Sequence, residues 1–158
     1  MPLISITTEI NAPIERVFDL SRSIDLHSIS TAHTGEEAIA GRTSGLIGLG
    51  ETVTWRAKHL GVWQTLTSEI TEFEYPFLFV DEMRKGAFQS IYHRHLFEFK
   101  NGRTIVKDEF HFESPLGILG WIANQLFLTK YLKDLLVKRN QIIKEFAESD
   151  RWETVLSN

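Results

Sequence analysis

Apolar and polar residues alternate from the start of the chain. In residues 3–10, Ile4, Ile6 and Thr8 alternate with Ser5, Thr7 and Glu9, the period of a half-buried strand. Asn11-Ala12-Pro13 breaks the pattern, with Asn11 the expected N-cap and Pro13 in the first helical turn. Ile14, Val17, Phe18 and Ile24 then recur at helical spacing, and a second short helix is expected over residues 25–29, with Ser21 or Ser23 restarting the capping. Residues 31–50 are the least regular part. They hold Gly35, Gly41, Gly45, Gly48 and Gly50, an expected strand near residues 36–39 and an apolar loop tip, Leu46-Ile47-Gly48-Leu49.

From residue 51 the pattern becomes β. Residues 51–60, 62–73, 77–83, 88–100 and 103–113 are five successive strand candidates. Gly61, Tyr75-Pro76, Lys85-Gly86 and Asn101-Gly102 separate them, and such short turns make neighbours antiparallel. Asn101-Gly102 is the strongest hairpin signal, because both residues tolerate positive φ. After Pro115, residues 116–149 carry Ile118, Ile122, Phe127, Tyr131, Leu135, Ile142 and Phe146 at helical spacing. Lys130, Lys133, Asp134, Lys138 and Lys144 lie on the opposite face, whereas the first half of the segment is apolar nearly all round. A continuous helix of this length reaches about 45–50 Å at about 1.5 Å per residue.

One strand, two short helices, a run of strands and one long helix make an α+β order. A twisted sheet of six or seven strands needs something to fill its concave face, and the long helix is the only element large enough. The expected architecture is a helix-grip: a curved antiparallel sheet wrapped around the C-terminal helix, enclosing an apolar pocket. Residues 1–150 are expected to form one such domain, with 151–158 as a C-terminal tail.

Composition narrows the function classes. With 158 residues, 42% hydrophobic and 24% charged, the chain is long enough for one real core. A net charge of −4 disfavours non-specific nucleic-acid binding, which needs a basic surface. The absence of cysteine removes disulfides, thiolate catalysis and cysteine-ligated metals, and fits a cytoplasmic location. No signal peptide is expected at the N-terminus. The most apolar stretch, residues 116–128, is too short to span a bilayer and contains Asn124 and Gln125.

Strand alternation also gives a list of inward-facing residues. Val53, Trp55, Ala57 and His59 share one face of their strand; Ile91, His93, His95, Phe97 and Phe99 share one face of theirs. Val106, Asp108, Phe110 and Phe112 do the same in the following strand. With Asn101-Gly102 as a two-residue turn, His95 faces Asp108 directly, and such Cβ atoms are about 4.5–5.5 Å apart. That is close enough for a carboxylate–imidazole hydrogen bond. Alternation does not decide which of Asp81 and Glu82 faces inward. The sequence lacks GxSxG, Walker, HExxH and dinucleotide-binding motifs.

The blocks GLIGLGETVTWRAKHLGV (45–62), FVDEM (79–83), GAFQSIYHRHLFEF (86–99) and SPLGILGWIANQLFLTKYLKDLLVKRN (114–140) resemble the SRPBCC superfamily, the helix-grip group of START domains and pollen-allergen-type proteins. They look like its bacterial ligand-binding branch, and the resemblance covers nearly the whole chain. It implies a pocket for an apolar ligand and names no reaction.

Together these features point to binding or carriage of a small hydrophobic or amphipathic molecule. The expected ligand contacts are Trp55, His59, His93, His95, Phe97, Asp108, Phe110, Trp121, Ile122 and Gln125, with His95 and Asp108 as polar anchors. Two alternatives remain open: a polyketide cyclase/dehydratase-like enzyme using the His–Asp pair, and an interaction module docking a protein or membrane through the loop tip and the start of the last helix. A homodimer contact is one further way to cover those apolar segments. His59, His93, His95 and Asp108 are also suitable metal-ligand types. The preferred reading nevertheless assigns no catalytic residue, metal or cofactor.

Overall fold

In a computed structural model, residues 3–114 and 127–156 are described. Strand β1 (Leu3–Ile10) is followed by helices α1 (Ile14–Ser21) and α2 (Ile24–Ser30) and a 3-10 turn (Ala32–Thr34). Six strands come next: β2 (Glu37–Gly41), β3 (Thr52–His59), β4 (Val62–Glu74), β5 (Leu78–Lys85), β6 (Ser90–Lys100) and β7 (Arg103–Glu113). Helices α3 (Thr129–Ala147) and α4 (Trp152–Leu156) follow. The strands form one seven-stranded antiparallel sheet in the order β1-β7-β6-β5-β4-β3-β2. This is the expected helix-grip architecture, with seven strands rather than six. Residues 116–126 of the expected long helix lie outside the described residues.

The turn chemistry sets the register. Asn101 and Gly102 both have positive φ (55° and 76°), as a two-residue hairpin demands, so Lys100 pairs with Arg103 and His95 with Asp108. The β3–β4 hairpin turns on Leu60 and Gly61, also at positive φ. Asn11 is not the cap of α1: Pro13 occupies that position without a side-chain cap, and the Asn11 backbone N–H donates to Glu148 Oε2 at 2.8 Å. Ser23 does cap α2, its hydroxyl accepting from the Leu26 N–H at 3.1 Å.

Phe18 on α1 centres the larger part of the core, with the rings of Phe73, Tyr75, Phe79 and Phe97 packed around it at centroid distances of 5.4, 5.1, 5.3 and 5.0 Å. Such aromatic contacts stabilise beyond simple area burial. The loop tip joins this core in part. Ile47 is buried, and the loop is pinned by Ile24 N–H to Gly45 O (2.9 Å) and Gly45 N–H to Asp25 Oδ2 (2.9 Å). Leu49 stays exposed.

Helix α3 buries Leu136, Arg139, Asn140, Ile143, Phe146 and Ala147. This i, i+3, i+4, i+7 stripe is one residue on from the expected Leu135 and Ile142, and two of its members are polar. The expected tail holds α4, whose Trp152, Val155 and Leu156 pack on the main core while Arg16 stacks over the Trp152 ring at 4.2 Å.

Candidate functional site

A cavity of about 280 Å³ lies between the sheet, α2 and α3. Val53, Trp55, Ile70, Phe79, Phe110 and Leu136 supply much of its apolar wall. A cluster of polar groups on its wall comes from three elements. β5 contributes Asp81, β6 contributes His93 and His95, and α3 contributes Arg139. Asp108, on β7, is 0% exposed and stands behind the histidines rather than on the cavity wall.

These groups form one connected network. His93 Nε2 lies 2.8 Å from Asp108 Oδ1, and His95 Nε2 lies 2.7 Å from Asp81 Oδ2. His95 Nδ1 is 3.1 Å from the same Asp108 oxygen but out of line for a hydrogen bond, so this buried nitrogen lacks a partner among the described residues. Asn140 donates to Asp108 Oδ2 at 2.6 Å and to Thr8 Oγ1 at 3.2 Å. Arg139 donates to Asn140 Oδ1 (3.1 Å) and to the Ser21 carbonyl (2.8 Å). The helix is thereby tied to β1, β7 and α1 through polar contacts at the site itself.

Burial pushes both carboxyls toward the neutral form, yet hydrogen bonds and charge from His93 and His95 override it. Asp81 is held below the usual carboxylate range and Asp108 well below it. The two imidazoles are pushed apart. Burial and then the charge of His95 hold His93 low, against Asp108 and Asp81. Burial also opposes the charged form of His95, but its contacts with Asp108 and Asp81 prevail and raise it. An ionised Asp108 carries no proton, so the His93 ring must donate at Nε2. A neutral His93 then presents the lone pair of Nδ1, 3.8 Å from Asp81 Oδ2.

The expected site residues divide accordingly. Trp55, His59, His93, His95 and Phe110 line the cavity. Phe97 does not; it packs against Phe18. Trp121, Ile122 and Gln125 lie outside the described residues. His59 does not join the polar cluster, since β3 is three strands from β6, roughly 14 Å at about 4.8 Å per strand. Its Nδ1 instead lies 2.8 Å from the Tyr131 hydroxyl. Nearby, His27 stacks on Trp55 with centroids 4.2 Å apart and is hydrogen-bonded to Glu36.

Asp81, Arg139 and Asn140 were not among the expected contacts. Asp81 pairs across the ladder with His93, which places it inside and leaves Glu82 opposite Tyr92. Arg139 and Asn140 were not in the expected apolar stripe of the last helix, because their residue types read as solvent-facing.

The same arrangement of elements occurs in solved structures. The protein TTHA0849 from Thermus thermophilus has a TM-score of 0.74 at 18% identity, covering 91% of this chain and 95% of that one. Ginseng major latex-like protein 151 from Panax ginseng gives 0.70 at 17% identity, over 94% and 98% of the two chains. A START superfamily protein from Mycobacterium smegmatis gives 0.68 at 12% identity, over 90% and 97%. The fold is the helix-grip fold that these structures share. At these identities the likeness concerns the fold alone. No family model and no curated protein matches the chain. No helix among the described residues is long and apolar enough to cross a membrane.

Proposed function

We propose that the protein binds a small, mostly apolar molecule in the cavity between sheet and helix, with one polar end of the ligand against Asp81, His93, His95 and Arg139. The observation that carries this reading is the composition of the cavity wall. Apolar side chains surround a few convergent polar groups with shifted pKa values, the usual make-up of a ligand site. The volume of about 280 Å³ is just below the range for drug-sized ligand sites, roughly 300–1,000 Å³. A compact amphipathic molecule suits it.

Native mass spectrometry of freshly purified protein tests the reading. A bound small molecule that is released on unfolding, and reduced in occupancy in His95→Ala, is the expected result. Protein that carries nothing, and takes up neither fatty acids nor aromatic probes when they are added, contradicts it.

A further inference from the structure

We propose that Asp81, His93 and His95 form a binding site for a late first-row divalent cation such as Zn²⁺, open toward the cavity. This goes beyond ligand binding but uses the same wall. One donor atom from each residue lies within 4.8 Å of the others. The relevant atoms are Asp81 Oδ2, His93 Nδ1 and His95 Nε2, with the carboxylate oxygen 3.8 Å from the first nitrogen and 2.7 Å from the second. Bonds of about 2.0–2.2 Å in tetrahedral geometry place donors roughly 3.3 Å apart. The two carboxylate–nitrogen separations straddle that value, so a shift of the Asp81 carboxylate by about half an ångström evens them, and the two ring nitrogens lie within 4.8 Å of each other. Asp81 is the one of the three with a partly exposed side chain.

The outer shell carries the inference furthest. Metal-binding histidines ordinarily hand their second ring nitrogen to a carboxylate, which fixes tautomer and ring orientation. Here both histidines turn that nitrogen to one atom, Asp108 Oδ1: His93 Nε2 at 2.8 Å and His95 Nδ1 at 3.1 Å. Asp108 is itself fixed by Asn140. Among the described residues His95 Nδ1 has no hydrogen bond, and Asp108 Oδ1 at 3.1 Å is the carboxylate oxygen that would take it. Two carboxylates against Arg139 leave a negative site when both imidazoles are neutral, as a dication requires. Two histidines and one carboxylate suit zinc or ferrous iron and leave positions free. Those positions face the cavity, where an anionic oxygen of a ligand completes the shell.

The test is calorimetric titration of chelator-treated protein with Zn²⁺, repeated with Co²⁺ while its visible absorption is followed. One ion per chain is expected, with a cobalt spectrum of low symmetry. His93→Ala and Asp81→Ala should each weaken binding by more than about 100-fold, since even outer-shell losses cost about 10–100-fold. His111→Ala, on the outer face of β7, should leave it unchanged. Absence of Zn²⁺ binding by the parent protein overturns the proposal, and this result needs no variant to fold. So does binding that survives Asp81→Ala and His93→Ala in proteins that keep their near-ultraviolet dichroism. Titration of the metal-free protein with an apolar dye reports separately on the ligand cavity, so either idea can fail without the other.

Discussion

Asp108 makes its short hydrogen bond to His93, its diagonal neighbour across the β6–β7 ladder, and not to His95, which stands directly opposite. His95 is thereby left to reach across to Asp81 on β5. One buried carboxylate organises two histidines on the cavity wall. Asp108→Asn removes the charge at nearly constant volume and leaves two imidazoles without it. Breaking a buried pair this way costs about 3–5 kcal/mol. Urea denaturation of the variant should show a loss of that size with an unchanged slope.

Asn140 is the helix's share in the same network. Its amide donates to Asp108 at 2.6 Å and accepts from Arg139 at 3.1 Å. Asn140→Ala leaves a buried carboxylate short of a donor and a buried guanidinium short of an acceptor, which should cost about 1–3 kcal/mol. Asn140→Asp should be worse, since it sets a second carboxylate against Asp108. Thermal melts of the two variants check the order.

His59 should respond to pH in one direction. Burial holds its imidazole below the ordinary value of 6.5, with Glu36 opposing. The folded state therefore binds fewer protons than the unfolded state between the lowered value and 6.5. The stability contributed by the neutral ring is fully present above pH 6.5 and is lost as pH falls through the lowered value. The His59 ring proton resonances, followed by NMR from pH 8 downward, should show a midpoint below 6.5; a midpoint above it contradicts this account of the ring.

Much of this arrangement could be read from the chain, and its limits have physical causes. The Asn101-Gly102 turn fixed a register that carried His95 to Asp108, and alternation placed His93, His95 and Asp108 on one buried face. Alternation failed on β5, where Phe79 and Val80 are both buried, so apolarity gave no phase for Asp81 against Glu82. The phase comes from pairing with β6, and β4 departs from regular register beside it, between Ile70 and Glu72. Phe97 was on the correct face, but its neighbour in space is Phe18 rather than the cavity. That distinction depends on how α1 packs over the sheet, which periodicity within a strand does not encode. On α3, a buried Arg-Asn pair looks polar until its hydrogen-bond partners are known.

The cavity is the central claim, and filling it is the most direct test. Ala57 is buried on β3 and lines the cavity. Ala57→Leu adds volume there without adding charge. Titration of an environment-sensitive apolar dye into the parent protein and the variant, with competition by a short-chain fatty acid, should show saturable binding at one site in the parent. The variant should bind at least about tenfold more weakly, a difference of about 1.4 kcal/mol. Equal dye affinity in a folded Ala57→Leu protein, or no saturable binding by the parent, would contradict the account.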